Sequence, residues 1–279
     1  RSLASLQVRL KSFIQRTLRK DVLEYVRYTK RQTLTVPFLP SPQEQDLYNG
    51  ISSLLEKDES YALPKRQRHL TGLILRKLLA SSTYAVLNTL STIRQRLEKL
   101  RAGEILNTHL IESLTDGDDL EQDYIDEFNY EEPLVEESEI DHQLLASEIA
   151  ELEYYIEQAS NIEVDSKVKA LLIALSQGFE QMELMGAPRK VIIFTESKRT
   201  QEYLENYLNA NGYLDKIVTF SGTNNKPLAT EIYQNWRDEN KDSDIVSGSA
   251  QIDRRSVLID YFKNSAEIMI ATEAAAEGV

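Results

Sequence analysis

Apolar residues recur at intervals of three and four along most of the first 164 positions, a spacing typical of helices with one buried face. Residues 10–22 and residues 145–159 each carry one such stripe. Residues 30–37 instead alternate between apolar and polar side chains, which predicts a short strand after the first helix. We therefore expect the N-terminal half of the chain to be mostly helical.

Two helix starts can be placed from residues that suit capping positions. Ser41 offers an N-cap, with Pro42 at the first helical position and Glu44 three residues after the cap, which together fit a capping box. Residues 68–101 form a long amphipathic stretch that is interrupted near Ser82, and this Ser can cap a second helix. The predicted buried residues of the helix that starts at Ser41 are Leu47, Ile51, Leu54 and Leu55.

After Asn161 the pattern changes to helices that alternate with short apolar runs. A helical stripe capped by Asp165 or Ser166 comes first, and the run at residues 191–194 is continuous, as in a strand buried on both faces. Strands that alternate with helices predict a parallel sheet covered on both sides, so the expected fold class is α/β. The three apolar runs are Val191–Phe194, Ile217–Phe220 and Ile268–Ala271.

Composition narrows the function classes. The 279 residues include no Cys and only three His, which have no ligand spacing between them, so we do not expect a metal site. No apolar run approaches the roughly 20 residues of a membrane span, and we expect no membrane partner. The start at Arg1 has neither an initiator Met nor a signal pattern, so we expect a cytoplasmic protein whose chain begins further upstream.

The net charge of −13 would argue against a nucleic-acid partner if it were spread evenly. Residues 116–141 hold 13 acidic residues and no Lys or Arg, whereas residues 1–31 hold nine basic and two acidic residues. The acidic segment, residues 103–141, is expected to be partly mobile because it is too polar to form a core. The basic helix is the segment expected nearest to nucleic acid, although a solvated helix face has the same pattern.

Polar and small residues follow each of the three apolar runs. Ligands bind beyond the carboxyl ends of strands in open parallel sheets, and hydroxyl groups, Gly and backbone N–H groups at that edge suit phosphates. Thr-x-Ser after a strand is also a common helix cap, and Ser-Gly is a common turn, so either loop alone is open to a purely structural interpretation. The three loops are Thr195–Arg199, Ser221–Thr223 and Thr272–Gly278.

These loops also carry a resemblance to a known family. Lys190–Ser197 resembles helicase motif IV, Phe220–Gly222 resembles the strand-Gly loop that follows it, and Ile268–Val279 resembles motif V, in the expected order. The chain is therefore similar to superfamily 2 DNA-dependent ATPases of the SWI/SNF-like kind.

Three upstream segments extend the resemblance. Phe13–Val22 resembles the Arg-rich helix that links the two motor lobes in this family, and Pro40–Tyr48 resembles its helix with Gln and Tyr after a strand. Arg76–Ser82 is similar to a helical insertion in the prokaryotic branch, near the ATPases that recycle RNA polymerase.

The resemblance implies a piece of an ATP-driven translocase that acts on double-stranded DNA. Residues 1–40 would form the helix between the lobes and the first strand of the second lobe, and residues 41–164 would form a large helical insertion. Residues 165–279 would form an incomplete RecA-like lobe that stops within motif V. The implied phosphate contacts are Thr195, Ser197, Lys198, Ser221, Gly222 and Thr272, and the residues implied to lie toward the ATP cleft are Glu277 and Gly278.

The resemblance also implies the cofactors and partners of the longer protein: ATP, Mg²⁺, double-stranded DNA, the first RecA-like lobe, and a protein partner on the helical insertion. The chain contains no Gly-x-x-x-x-Gly-Lys-Ser/Thr loop and no Asp-Glu-x-His run, and it stops before motif VI. We therefore expect no catalytic residue, no bound cofactor and no ATP hydrolysis in this chain alone.

A non-enzymatic interaction domain is the second interpretation. In that case the helices at residues 68–100 would form an arm on an α/β domain and pair with a partner protein. A hydrolase with its own nucleophile finds no support, because no Ser, His and Asp occur together in a motif context.

Overall fold

The computed structural model describes Tyr25 and residues 33–57, 59–63, 68–104, 140–241 and 245–272. The predicted basic helix, nearly all of the acidic segment, and Glu277 and Gly278 lie outside these residues. The chain divides into two units, residues 1–36 and residues 37–279, and every described helix and strand belongs to the second.

Four of the described helices form a helical layer, and both predicted helix starts are confirmed. The Ser41 hydroxyl accepts from the Glu44 N–H at 3.2 Å while the Glu44 carboxylate accepts from the Ser41 N–H, which completes the capping box. The Ser82 hydroxyl accepts from the Ala85 N–H at 3.2 Å and begins the third helix. The helices are α1 (Pro42–Leu55), α2 (Arg68–Ser81), α3 (Thr83–Arg101) and α4 (His142–Ser160).

The apolar stripes of these helices meet in one core. This core includes the four residues predicted from the α1 stripe, together with residues from each of the other helices and from the loop after α1. The large side chains that are at most 1% exposed include Leu47, Ile51, Leu54, Leu63, Leu75, Leu78, Leu90, Ile93, Leu97, Leu145 and Leu152.

Gly50 marks a close approach of α1 to α4. A Cβ at this position would lie 2.4 Å from the Tyr155 ring, whereas a Cβ at Gly178, on another helix, would meet nothing within 4 Å. We expect Gly50→Ala to lower the free energy of unfolding by about 1–2 kcal/mol, because the clash outweighs the gain in helix propensity. Gly178→Ala should raise it by about 0.5–1 kcal/mol.

Urea unfolding of the two variants tests this close approach. Adding Tyr155→Leu to Gly50→Ala should recover part of the lost stability, because the new Cβ clashes with the Tyr155 ring. Equal stabilisation by Gly50→Ala and Gly178→Ala would contradict the described packing of α1 on α4.

The remaining elements form an α/β layer. Asp165 precedes its first helix, as predicted, and the left-handed backbone of Gly186 (φ 64°) follows that helix. The three strands are parallel and lie in the order β1-β3-β2, so the predicted α/β class with a parallel sheet is confirmed. The elements are α5 (Ser166–Leu184), β1 (Val191–Thr195), α6 (Lys198–Leu208), β2 (Ile217–Phe220), α7 (Pro227–Glu239), α8 (Ala250–Asn264) and β3 (Ile268–Thr272).

Helices cover the two faces of the sheet unequally. Helices α5 and α6 pack on one face of all three strands, whereas α7 and α8 pack on the other face of β2 and β3. On that second face Ile192 is 41% exposed and Phe194 is 61% exposed. The prediction that residues 191–194 are buried on both faces is therefore wrong, because β1 pairs only with β3 and no described helix covers its second face.

The predicted strand at residues 30–37 is also not formed where the structure describes it, since residues 33–41 have no regular secondary structure. Alternation indicates an extended chain, and an extended chain becomes a strand only when a neighbour supplies hydrogen bonds. Pro37 and Pro40 also lack the N–H that a sheet ladder requires.

Two carboxylates join the helical layer to the start of α5. Glu44 accepts from the Ser166 N–H at 2.7 Å, and Asp165 accepts from the Thr83 N–H at 3.3 Å. Burial alone would raise the pKa of Glu44, but hydrogen bonds from Ser166 and Ser41 outweigh it and lower that pKa. Burial raises the pKa of Asp165 despite its bonds from Thr83. Carboxylates near helix N-termini, as here, also interact favourably with the helix dipoles.

None of the helices within the described ranges is long and apolar enough to cross a membrane.

Candidate nucleic-acid interface

The carboxyl ends of the three strands form one rim of the sheet. Thr195 at the end of β1 lies opposite Thr272 at the end of β3, and Phe220 at the end of β2 lies opposite Ala271. Ser221 therefore follows beside Thr272. The structure brings the loops after β1 and β2 to the same edge as Thr272, the described residue of the third predicted loop, and the register follows from parallel pairing.

Buried hydrogen bonds already engage the hydroxyls of the β1 loop. Ser197 is fully buried at the start of α6, where its hydroxyl accepts from the Thr200 N–H at 3.1 Å. The Thr195 hydroxyl is buried as well and donates to the Ser197 carbonyl at 3.2 Å. The helix-cap interpretation of Thr-x-Ser is therefore confirmed for Ser197. Lys198, which follows the cap, is partly exposed at the rim.

The loop after β2 is a turn closed by Asn224. The Asn224 side chain accepts from the Ser221 N–H at 2.8 Å, and the Ser221 hydroxyl accepts from the Asn224 N–H at 3.2 Å. Asn224 adopts a left-handed backbone (φ 48°), a conformation that Asn tolerates better than most residues. The turn interpretation of Ser-Gly is confirmed, and Gly222 and Thr223 are the members of this loop that reach the surface.

Gln201 ties the rim together from beneath. Its side-chain N–H groups donate to the Phe220 carbonyl at 3.0 Å and to the Ile270 carbonyl at 2.7 Å, so one residue of α6 holds both β2 and β3. Thr272 is fully buried below the same helix. The hydroxyls predicted to bind phosphates are thus mostly inside the rim, whereas Lys198 and the Gly222 backbone lie at its surface.

Two arginines at this rim were missed by the sequence analysis. Arg254 donates to the Asn224 carbonyl at 3.3 Å and stacks on the Tyr233 ring, with 5.1 Å from its guanidinium carbon to the ring centroid. Arg255 lies 5.2 Å from the centroid of the Phe220 ring, at the end of β2. Their position in α8 was the available signal, because a helix that returns to a parallel strand begins at the carboxyl rim.

Among the residues that the structure describes, the acidic side chains near the rim are paired or buried. Glu196 forms an ion pair with Lys77 at 3.4 Å, and Asp253 is buried and accepts from the Ser247 N–H at 3.0 Å. Lys226 pairs with Glu205 at 2.5 Å. Within the described ranges no three His, Asp or Glu side chains are grouped as a metal site would require.

Comparison with known proteins identifies no similar protein. No protein-family model, no curated protein and no solved structure matches this chain.

Proposed function

We propose that this chain is the DNA-contacting part of an ATP-driven motor of the SWI/SNF-like superfamily 2 kind. In this proposal residues 165–272 belong to its second RecA-like lobe, and the sheet rim contacts phosphates of double-stranded DNA. The contacts come from Lys198, the backbone of Gly222 and Arg255. In the longer protein the first lobe, ATP and Mg²⁺ complete the motor, and a protein partner binds the helical insertion.

One observation carries the proposal. Three parallel strands end at one rim with the β1 loop, the β2 loop and Thr272, and two arginines from α8 contact the Asn224 carbonyl and the Phe220 ring beside them. Lys198 and Arg255 are partly exposed, and cations beside backbone N–H groups are suited to the sugar-phosphate backbone and carry no base specificity. Glu277 and Gly278, which the resemblance places toward ATP, lie outside the described residues, so the support concerns DNA rather than the nucleotide.

The interaction-arm interpretation receives less support from the helical layer. An arm that pairs with a partner would leave an apolar face open on α2 and α3. Most described apolar residues of these helices instead fill the core shared with α1 and α4, with Leu73 and Tyr84 as exposed exceptions, and the other side of α3 packs on α6.

Charge reversal at the rim tests the proposed DNA contact. We expect the chain to bind a fluorescein-labelled 20-base-pair duplex at low salt, and Lys198→Glu with Arg255→Glu to weaken binding roughly 10- to 100-fold. Each lost phosphate contact should also reduce the slope of log affinity against log salt by about 0.9. Fluorescence anisotropy across a salt series measures both quantities.

The matched control reverses two cations away from the rim. Lys241 and Lys263 are 64% and 66% exposed, and each forms an ion pair with an Asp three residues earlier in the chain. Lys241→Glu with Lys263→Glu changes the net charge by the same amount as the rim variant. Equal loss of affinity in both variants would mean a nonspecific charge effect, and no binding by the unmodified chain would refute the proposal.

A further inference from the structure

Four hydroxyl groups meet where the helical layer touches the start of α6. The Thr200 hydroxyl oxygen lies 2.8 Å from that of Ser81, 3.0 Å from that of Ser82 and 3.2 Å from that of Ser197. Ser82 is the N-cap of α3, and Ser197 is the N-cap of α6. A single hydroxyl therefore connects the caps of two helices that belong to different layers.

The hydrogen-bond capacity of Thr200 is fully used in this arrangement. A hydroxyl donates one hydrogen bond and accepts two. The oxygens of Ser82 and Ser197 already accept from backbone N–H groups, so both can donate their own hydrogens to Thr200. Thr200 then donates to Ser81. The side chain is 5% exposed, so water cannot readily replace a lost partner.

Other contacts between the same elements flank the hydroxyl cluster. Arg199 donates to the Thr89 hydroxyl at 2.9 Å, and Tyr84 stacks on Tyr203 with ring centroids 5.6 Å apart. Burial raises the pKa of Tyr203 to about 12. The residues immediately before and after Lys198 are thus tied to the helical layer.

We propose that Thr200 is a positioning residue through which the helical layer sets the orientation of the β1 loop, residues 196–199. If the rim binds DNA as proposed above, the α2–α3 junction then controls the DNA affinity of the rim. This consequence rests on the proposed function. A movement of Ser81 and Ser82 would reorient the cap of α6, and with it Lys198. The insertion would then regulate the DNA contact without touching DNA itself.

Removal of the Thr200 methyl or hydroxyl group separates positioning from packing. Thr200→Val keeps the shape and loses the hydroxyl, and we expect faster amide hydrogen exchange in residues 196–199 and roughly 3- to 10-fold weaker binding to the labelled duplex. Thr200→Ser keeps the hydroxyl and should restore both measurements to near their original values. Exchange is followed by mass spectrometry of peptides that cover the β1 loop.

Two control variants exclude a general loss of stability. Thr71→Val makes the same change at a buried Thr whose hydroxyl has no hydrogen-bond partner among the described residues, and Ile93→Val destabilises the helical layer away from Thr200. Neither should alter loop exchange or DNA affinity. Unchanged loop exchange in Thr200→Val overturns the positioning role, whether or not the chain binds DNA.

The duplex measurement separates the remaining outcomes. Faster exchange with unchanged affinity would overturn the control of DNA binding by the helical layer. If the unmodified chain binds no duplex, the proposed function and the control of DNA affinity both fail, and the exchange data alone decide the positioning role.

Discussion

Replacing Gln201 by Glu is expected to lower the free energy of unfolding by about 3–5 kcal/mol at pH 7. Gln201 is 1% exposed and donates to the carbonyls of Phe220 and Ile270. A carboxylate in its place has no hydrogen to donate and sets negative charge against two carbonyl oxygens. The substitution would therefore loosen β2 and β3 at the rim that we assign to DNA.

The loss should depend on pH in a defined direction. Burial and the two carbonyls would raise the pKa of the introduced carboxyl above its ordinary value of about 4.3 in the folded state. The folded variant then binds the proton more tightly than the unfolded variant. The loss of stability relative to the unmodified chain is therefore complete above the folded-state pKa, and it shrinks as pH falls toward the unfolded-state pKa. Unfolding by urea at pH 8 and pH 5 should give a smaller difference from the unmodified chain at pH 5.

Gln201→Met provides the matched control for charge. It has a similar size and loses both hydrogen bonds, so we expect a cost of about 1–2 kcal/mol that does not change with pH. If Gln201→Glu were as stable as Gln201→Met at pH 8, the amide would not face the two carbonyls as described.

The elements that sequence predicts well are those whose cause is local. Ser41, Pro42 and Glu44 start a helix through contacts within one turn, so the three residues alone are sufficient evidence. Ser82 behaves in the same way. The parallel direction of the strands also follows, because helices between apolar runs leave a parallel sheet as the favoured arrangement.

Burial of a strand is not local, and the prediction for β1 was wrong for that reason. The apolar run at residues 191–194 fits a strand, but exposure of Ile192 and Phe194 depends on what lies over the edge of the sheet. The prediction of phosphate-binding residues was limited for a related reason. A hydroxyl after a strand has the same sequence pattern whether it faces a ligand or caps a helix, and Ser197 caps α6 beneath the helical layer.

Glu148 illustrates a buried charge that the sequence pattern did not predict. It lies in α4 among apolar residues at helical spacing, and its side chain is 1% exposed. Its carboxylate accepts from the Tyr61 N–H at 3.2 Å and from the Ala62 N–H at 2.9 Å, in the loop after α1. The contact joins residues more than 80 positions apart, so no local pattern indicates it.

Three further bonds show that this loop is held by specific partners. Arg96 donates to the Tyr61 carbonyl at 3.1 Å, the Asp141 N–H donates to the Tyr61 hydroxyl at 2.9 Å, and the Leu63 N–H donates to the Ser60 hydroxyl at 3.2 Å. The loop consequently inserts Ala62 and Leu63, which are 1% and 0% exposed, into the helical core. The Glu148 carboxylate accepts the hydrogen bonds of the Tyr61 and Ala62 N–H groups at the start of this buried segment.

We expect Glu148→Ala to lower the free energy of unfolding by about 3–5 kcal/mol, because it leaves two buried N–H groups without an acceptor and opens a cavity. The melting temperature should fall by roughly 10 °C. Glu148→Gln keeps one acceptor oxygen but turns an amide N–H toward the loop, so about 1–2 kcal/mol of unfolding free energy should be lost.

Glu153→Ala is the control on the same helix. Its side chain is 52% exposed and lies 3.7 Å from Arg94, so its removal should change stability by less than about 0.5 kcal/mol. Equal effects of Glu148→Ala and Glu153→Ala would show that the loop does not depend on the buried carboxylate.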